Sequence, residues 1–131
     1  MATAKTISLR LKVLPGEFSI HRFDPSAVVP AQVYDGDFFN ICRTHDELSI
    51  VCADGIVRNS PRCEAGWSCI KVMGPLDFSL TGILAHLAGL LAEAGISLFA
   101  LSTYDTDYFL VKTEKLASAL AALEAGGSSL A

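Results

Sequence analysis

Between Gly74 and Gly82 the chain reads Gly-Pro-Leu-Asp-Phe-Ser-Leu-Thr-Gly, residue types and an order that suit the capture of a small charged molecule. The segment leads into an apolar-periodic stretch that predicts a helix. Its first backbone N–H groups therefore lack an intrahelical acceptor and can hold an anion such as an α-carboxylate. Ser79 and Thr81 add hydroxyl donors and Gly82 allows close backbone approach, although the same hydroxyls serve equally as ordinary helix caps. Asp77 here, with Asp105 and Asp107 in Thr-Tyr-Asp-Thr-Asp, supplies the opposite sign for an ammonium or guanidinium group. Asp105 is also a plain turn former, whereas Asp107 opens an apolar run. Phe78 and Tyr104 can wall a pocket, stack on a cation, or serve in the core.

Other chemistry finds less support. His21, His45 and His86 are separated from one another, and no Gly-x-Ser-x-Gly elbow, His-Glu-x-x-His pair or phosphate loop accompanies them, so no catalytic residue is assigned. A nucleophile pair of Cys63 with His45 is the remaining alternative. Cys42, Cys52, Cys63 and Cys69 form no Cys-x-x-Cys pair, so neither a metal nor another cofactor is expected. They read as small core hydrophobes, with Cys63, in a polar connector, as the exposed one. The net charge of -4 and the absence of a Lys/Arg cluster argue against a nucleic-acid backbone as partner. Residues 1–6 have one lysine and no apolar core, which does not make a signal peptide. No apolar run reaches the length of a membrane span, so a cytoplasmic protein is expected.

The elements that must position these residues follow from periodicity, and 51% hydrophobic residues in a chain of 131 leave ample material for a core. Ile83, Leu84, Leu87, Leu90, Leu91 and Ala94 form one stripe of a helix over 82–94, which Gly95 stops. Residues 96–111 then write two strands and a turn. Thr113 is expected to cap a second helix striped by Leu116, Leu120 and Leu123, which ends at Gly126-Gly127. In the first half, residues 7–13 and 18–22 read as a hairpin around Pro15-Gly16. Residues 24–36 read as a short helix or irregular crossover, 38–42 and 48–52 as a strand pair, 54–66 as a connector, and 67–72 as the strand opening the second half. A shift of sixty residues lays Phe39 on Phe99, Ile41 on Leu101, Ile50 on Leu110 and Val51 on Val111, the mark of a duplication.

Gly-Pro-Leu-Asp-Phe-Ser-Leu-Thr-Gly-Ile-Leu, followed by Ala-Glu-Ala-Gly-Ile-Ser-Leu-Phe-Ala-Leu-Ser-Thr-Tyr-Asp-Thr-Asp-Tyr, resembles the small ACT-domain proteins related to the CASTOR arginine sensors over residues 74–116. The resemblance implies an α+β fold of two tandem ACT-like, ferredoxin-like modules with antiparallel sheets and helices on one face. Residues 1–60 would be the N-terminal module, 61–126 the C-terminal ACT domain with the ligand loop, and 127–131 a flexible tail. In the CASTOR sensors the strand after the helix gives a serine and the next apolar residue to the ligand, positions held here by Ser97 and Leu98. The first half lacks a glycine-bounded loop leading into a long helix, so no site is carried to it. The expected function is a non-catalytic module that binds an amino acid or related metabolite, acting through a homodimer or an unidentified protein partner. An interaction module without ligand, or a small enzyme on the same fold, are the alternatives.

Overall fold

Alternating apolar and polar residues become strands in both halves of the chain. The computed structural model describes residues 8–74 and 81–131. Its strands are β1 (Arg10–Val13), β2 (Phe18–Phe23), β3 (Asn40–Arg43), β4 (Leu48–Ala53), β5 (Arg62–Val72), β6 (Phe99–Ser102), β7 (Asp107–Lys112) and β8 (Ser129–Leu130). The helices are α1 (Ile83–Glu93) and α2 (Leu116–Ala125). The chain packs as two units, residues 15–67 on one hand and residues 1–14 with 68–131 on the other. This grouping joins β1 to the C-terminal part of the chain, whereas the sequence boundary at residue 60 keeps it with the N-terminal part.

In the unit 15–67 the strands run in the order β3-β4-β2-β5, all antiparallel. Ser19, His21 and Phe23 stand opposite Cys52, Ile50 and Leu48, and so share one sheet face. The core there is Phe23, Val33, Leu48, Ile50 and Cys52. Residues of two connectors, Ala27 and Val29 on one and Ile56 and Val57 on the other, pack over it where a ferredoxin-like body has helices. A single turn of 3-10 helix, Ala31–Asp35, brings in Val33. The strand expected from residue 67 starts earlier, at Arg62. Gly66, at φ +80°, takes up the extra residue of a bulge between Phe18↔Trp67 and Ile20↔Glu64.

In the other unit the order is β6-β7-β5-β1-β8. One core joins Leu11, Ile70, Val72, Phe109 and Val111 of the sheet to Leu87 and Leu91 of α1 and Ala119 and Leu123 of α2. Both helices therefore lie on the same face, and the α+β, ferredoxin-like class read from the sequence holds. Gly95, at φ +73°, turns the chain at the end of α1, and the Ile96 N–H returns to the Leu91 carbonyl at 2.9 Å. Gly127 does the same after α2, where the Ser128 N–H reaches the Leu123 carbonyl at 3.0 Å.

Four expectations need correction. Residues 127–131 are not a loose tail: β8 pairs in parallel with β1, and the Ser129 and Ala131 N–H groups donate to Leu9 and Leu11 at 2.8 and 2.7 Å. The Pro15-Gly16 turn does not close a hairpin. β1 pairs with Ile70–Val72 of β5, and β2 pairs with β4 and with the earlier residues of β5. Thr113 caps nothing, because its hydroxyl meets that of Ser68 at 2.9 Å and a turn of 3-10 helix precedes α2. Cys42 is exposed along with Cys63, while Cys52 and Cys69 are buried.

The two strand pairs laid over each other in the sequence correspond at an offset of fifty-nine residues, not sixty. Arg43↔Leu48 closes the β3–β4 turn and Ser102↔Asp107 closes the β6–β7 turn. Thr44 and Thr103 start these turns with the same bond, N–H to the carbonyl three residues on, at 2.9 and 2.8 Å.

Candidate functional site

The unit carrying α1 is oriented by two hydrogen bonds. The buried Thr106 hydroxyl donates to the Val72 carbonyl at 2.6 Å, which sets the β6–β7 turn at the end of β5 where the chain leaves for α1. The Ser68–Thr113 bond sets the far end of β7 beside an earlier part of β5. Tyr104 and Asp107 thus belong to the turn and strand start held at the end of β5. Tyr104 is 82% exposed, and Asp107, half-buried, accepts the Ser102 hydroxyl at 2.7 Å, which still leaves its carboxylate further lone pairs. Gly82, at φ +81°, is the N-cap. It offers no side chain to the helix, and its carbonyl accepts the His86 N–H at 2.8 Å. Thr81 and Gly82 are both exposed. Asp77, Phe78 and Ser79 lie outside the described residues.

Ser97 and Leu98 are elsewhere. They line a depression of about 480 Å³ together with Ala88, Ala92, Gly95 and Ile96, at the C-terminal end of α1. Thirteen residues of helical rise separate Gly82 from Gly95, roughly 20 Å. One small ligand cannot touch both ends of α1 in the same chain.

Sequence reasoning missed the environment of His21. The residue is buried, its Nδ1 meets the Ser60 hydroxyl at 2.7 Å, and its Nε2 is enclosed without a hydrogen-bond partner among the described residues. Its Cα stands opposite that of Cys63, whereas His45, the histidine weighed as a partner for this thiol, lies exposed in the β3–β4 turn. No local pattern announces this pairing, because the two strands are far apart in sequence. Burial pushes the thiols of Cys52 and Cys69 up to about 11 and about 12, so both stay protonated and poorly nucleophilic near neutrality. Among the described residues no three His, Cys, Asp or Glu side chains gather as a metal site.

Burial holds the His21 imidazole neutral and lowers its pKa below 6.5, against an opposing pull from Asp54. Between the lowered folded value and 6.5 the unfolded chain binds more protons. The contribution of His21 to stability is therefore complete above pH 6.5 and is lost as the pH falls through that window. Urea unfolding on either side of pH 6.5 should show a downward step in wild-type stability that is diminished in His21→Asn; equal steps in both would assign the acid sensitivity to other groups.

A model of the ACT domain matches residues 62–125, and a second model, of an N-terminal domain, matches residues 16–59. The human protein named cytosolic arginine sensor for mTORC1 subunit 1 is 36% identical over 66 residues, 50% of this chain and 20% of that protein. The chain thus spans about a fifth of the curated relatives it matches. The crystal structure of Atu0741 from Agrobacterium tumefaciens superposes with a TM-score of 0.89 at 38% identity, covering 95% of this chain and 93% of that one. The aspartate kinase of Clostridium acetobutylicum shares the fold, with a TM-score of 0.63 at 13% identity over 89% of this chain and 33% of the enzyme.

Proposed function

This chain is an ACT-domain protein of the same family as Atu0741, and from that premise we propose that it is a non-catalytic sensor of an amino acid or a related small metabolite. The observations that support the reading are the ACT-domain match over residues 62–125 and the β6–β7 turn, which carries Tyr104 and opens onto Asp107 and is tied to the end of β5 by the Thr106–Val72 bond. Free N–H groups of a helix start attract a carboxylate, and the Asp107 carboxylate attracts an ammonium or guanidinium group. On the sequence pattern alone we assign Asp77, Phe78, Ser79, Thr81 and Gly82 to the binding of the same ligand.

Ser97 and Leu98 come into the same site from a second copy of the chain, since within one chain they stand at the opposite end of α1. The active species is therefore a homodimer, and ligand occupancy shifts the population toward the paired arrangement in proportion to its differential affinity. The common strand order of the two units and the matching Thr44 and Thr103 turns support descent from one duplicated module, with the N-terminal copy reduced in its helices. The likeness to a human cytosolic arginine sensor supports a cytosolic location, and among the described residues no helix is long and apolar enough to cross a membrane.

A thermal-shift screen against the twenty amino acids tests the reading. A ligand present at a hundred times its dissociation constant adds about 2.7 kcal/mol to stability, a plain rise in melting temperature. Ser97→Ala should weaken that ligand by roughly 1 kcal/mol, and light scattering should report a dimer in its presence. Gly82 is a poor probe, because any side chain at its positive φ is strained by about 1–2 kcal/mol. If none of the twenty raises the melt at millimolar concentration, the protein is an interaction module and not a sensor.

A further inference from the structure

In the unit 15–67 an open cavity of about 710 Å³ is lined by residues of the two connectors that stand in for helices, a size within the usual range for small-molecule sites. Its apolar wall is Phe23, Ile56 and Val57, which also belong to or pack on the core of the unit. Two side chains of opposite charge, Asp35 and Arg58, line it as well, and neither has an ion-pair partner within 4.0 Å among the described residues. Gln32 and Asn59 add amide donors and acceptors.

The walls are tied in place from behind. The connector bearing Arg58 is pinned at one end by the buried Ser19 hydroxyl, which donates to the Asp54 carboxylate at 2.5 Å, and at the other by His21 Nδ1 on the Ser60 hydroxyl at 2.7 Å. The connector bearing Asp35 is held by the Arg43 guanidinium, which donates to the carbonyls of Pro25 and, at 2.7 Å, Ala27. Its far side is braced by the edge-to-face contact of Tyr34 with Phe39, ring centroids 5.7 Å apart. Side-chain bonds of this kind restrain connectors that carry little regular structure of their own, and such pre-organisation is what a binding cavity needs.

We propose that this cavity is a second ligand site, built for an α-amino-acid zwitterion with an apolar side chain. Arg58 takes the carboxylate in its planar fork, Asp35 takes the ammonium, and the side chain lies on Phe23, Ile56 and Val57. The site is separate from the one proposed in the ACT unit and shares no residue with it.

Heteronuclear NMR of the full chain with L-leucine as probe tests this directly. L-leucine should shift the amides of residues 32–36 and 55–59, with N-acetyl-L-leucine, which lacks the ammonium, and L-leucinamide, which lacks the carboxylate, each binding about tenfold more weakly or worse. Arg58→Gln and Asp35→Asn, both at exposed positions, should each reproduce the loss seen when the matching group is blocked, while Ser97→Ala leaves these shifts as they are. No shift at those amides up to about 10 mM L-leucine, where specific recognition has all but vanished, would overturn the proposal. So would binding that is indifferent to both charge-blocked analogues. Either result leaves the ACT-unit reading standing, since that rests on the melt screen and on Ser97.

Discussion

Phe109→Ala is expected to lower the unfolding free energy by about 3–5 kcal/mol, the largest single loss foreseen for this protein. Phe109 sits in mid β7, fully buried, and is the largest of the fully enclosed side chains among the described residues. It shares one core with β5 residues Ile70 and Val72, α1 residues Leu87 and Leu91, and α2 residues Ala119 and Leu123. Removing the ring withdraws apolar area from the core that joins the sheet to both helices. The backbone around it cannot close the gap, because β7 is held by its ladder on both sides, to β5 and β6. Urea unfolding should show a fall in the midpoint with little change in slope. A loss under about 1 kcal/mol would mean that the helices are held to the sheet by something other than this core.

The second large effect is Leu48→Ala in the other unit, for which a loss of about 2–5 kcal/mol is expected. Leu48 is fully buried, opposite Phe23 on β2, in a core of five buried residues. Connectors and not helices cover this core, so the cover can sink further into the gap than a helix could. The loss should fall below that of Phe109→Ala. Loss of the ring-current and amide signals of residues 30–36 and 55–59 would show the connectors loosening first. Equal costs for the two substitutions would contradict the view that the connectors are the more compliant lid.

What the sequence by itself determined is local. The stripe of Ile83, Leu87, Leu90 and Leu91 and the stop at Gly95 announced α1, because helix periodicity and a C-cap are written within a few turns of chain. The two tight hairpins were equally legible, since strands and turn follow one another in sequence. The correspondence of the two strand pairs was visible only to within one residue. Ile50-Val51-Cys52 and Phe109-Leu110-Val111 are buried on both faces, so their apolar runs lose the period-two signal that would set register. The bonds of Thr44 and Thr103 resolve it to fifty-nine.

The candidate site was legible in its residue types and not in its assembly. The Thr106 hydroxyl, bound to the Val72 carbonyl, ties the turn that carries Tyr104 to the end of β5, a contact across 34 residues that no local pattern records. Ser97 and Leu98 are carried away from Gly82 by the length of α1. Likewise only the tertiary structure decided that β5 takes both β1 and β2, that His21 faces Cys63, and that the last residues form β8 on β1. Each of these is a pairing between segments distant in sequence. Its stability comes from surfaces that meet after the chain has folded, and nothing in the neighbouring residues of either partner records where the other will be.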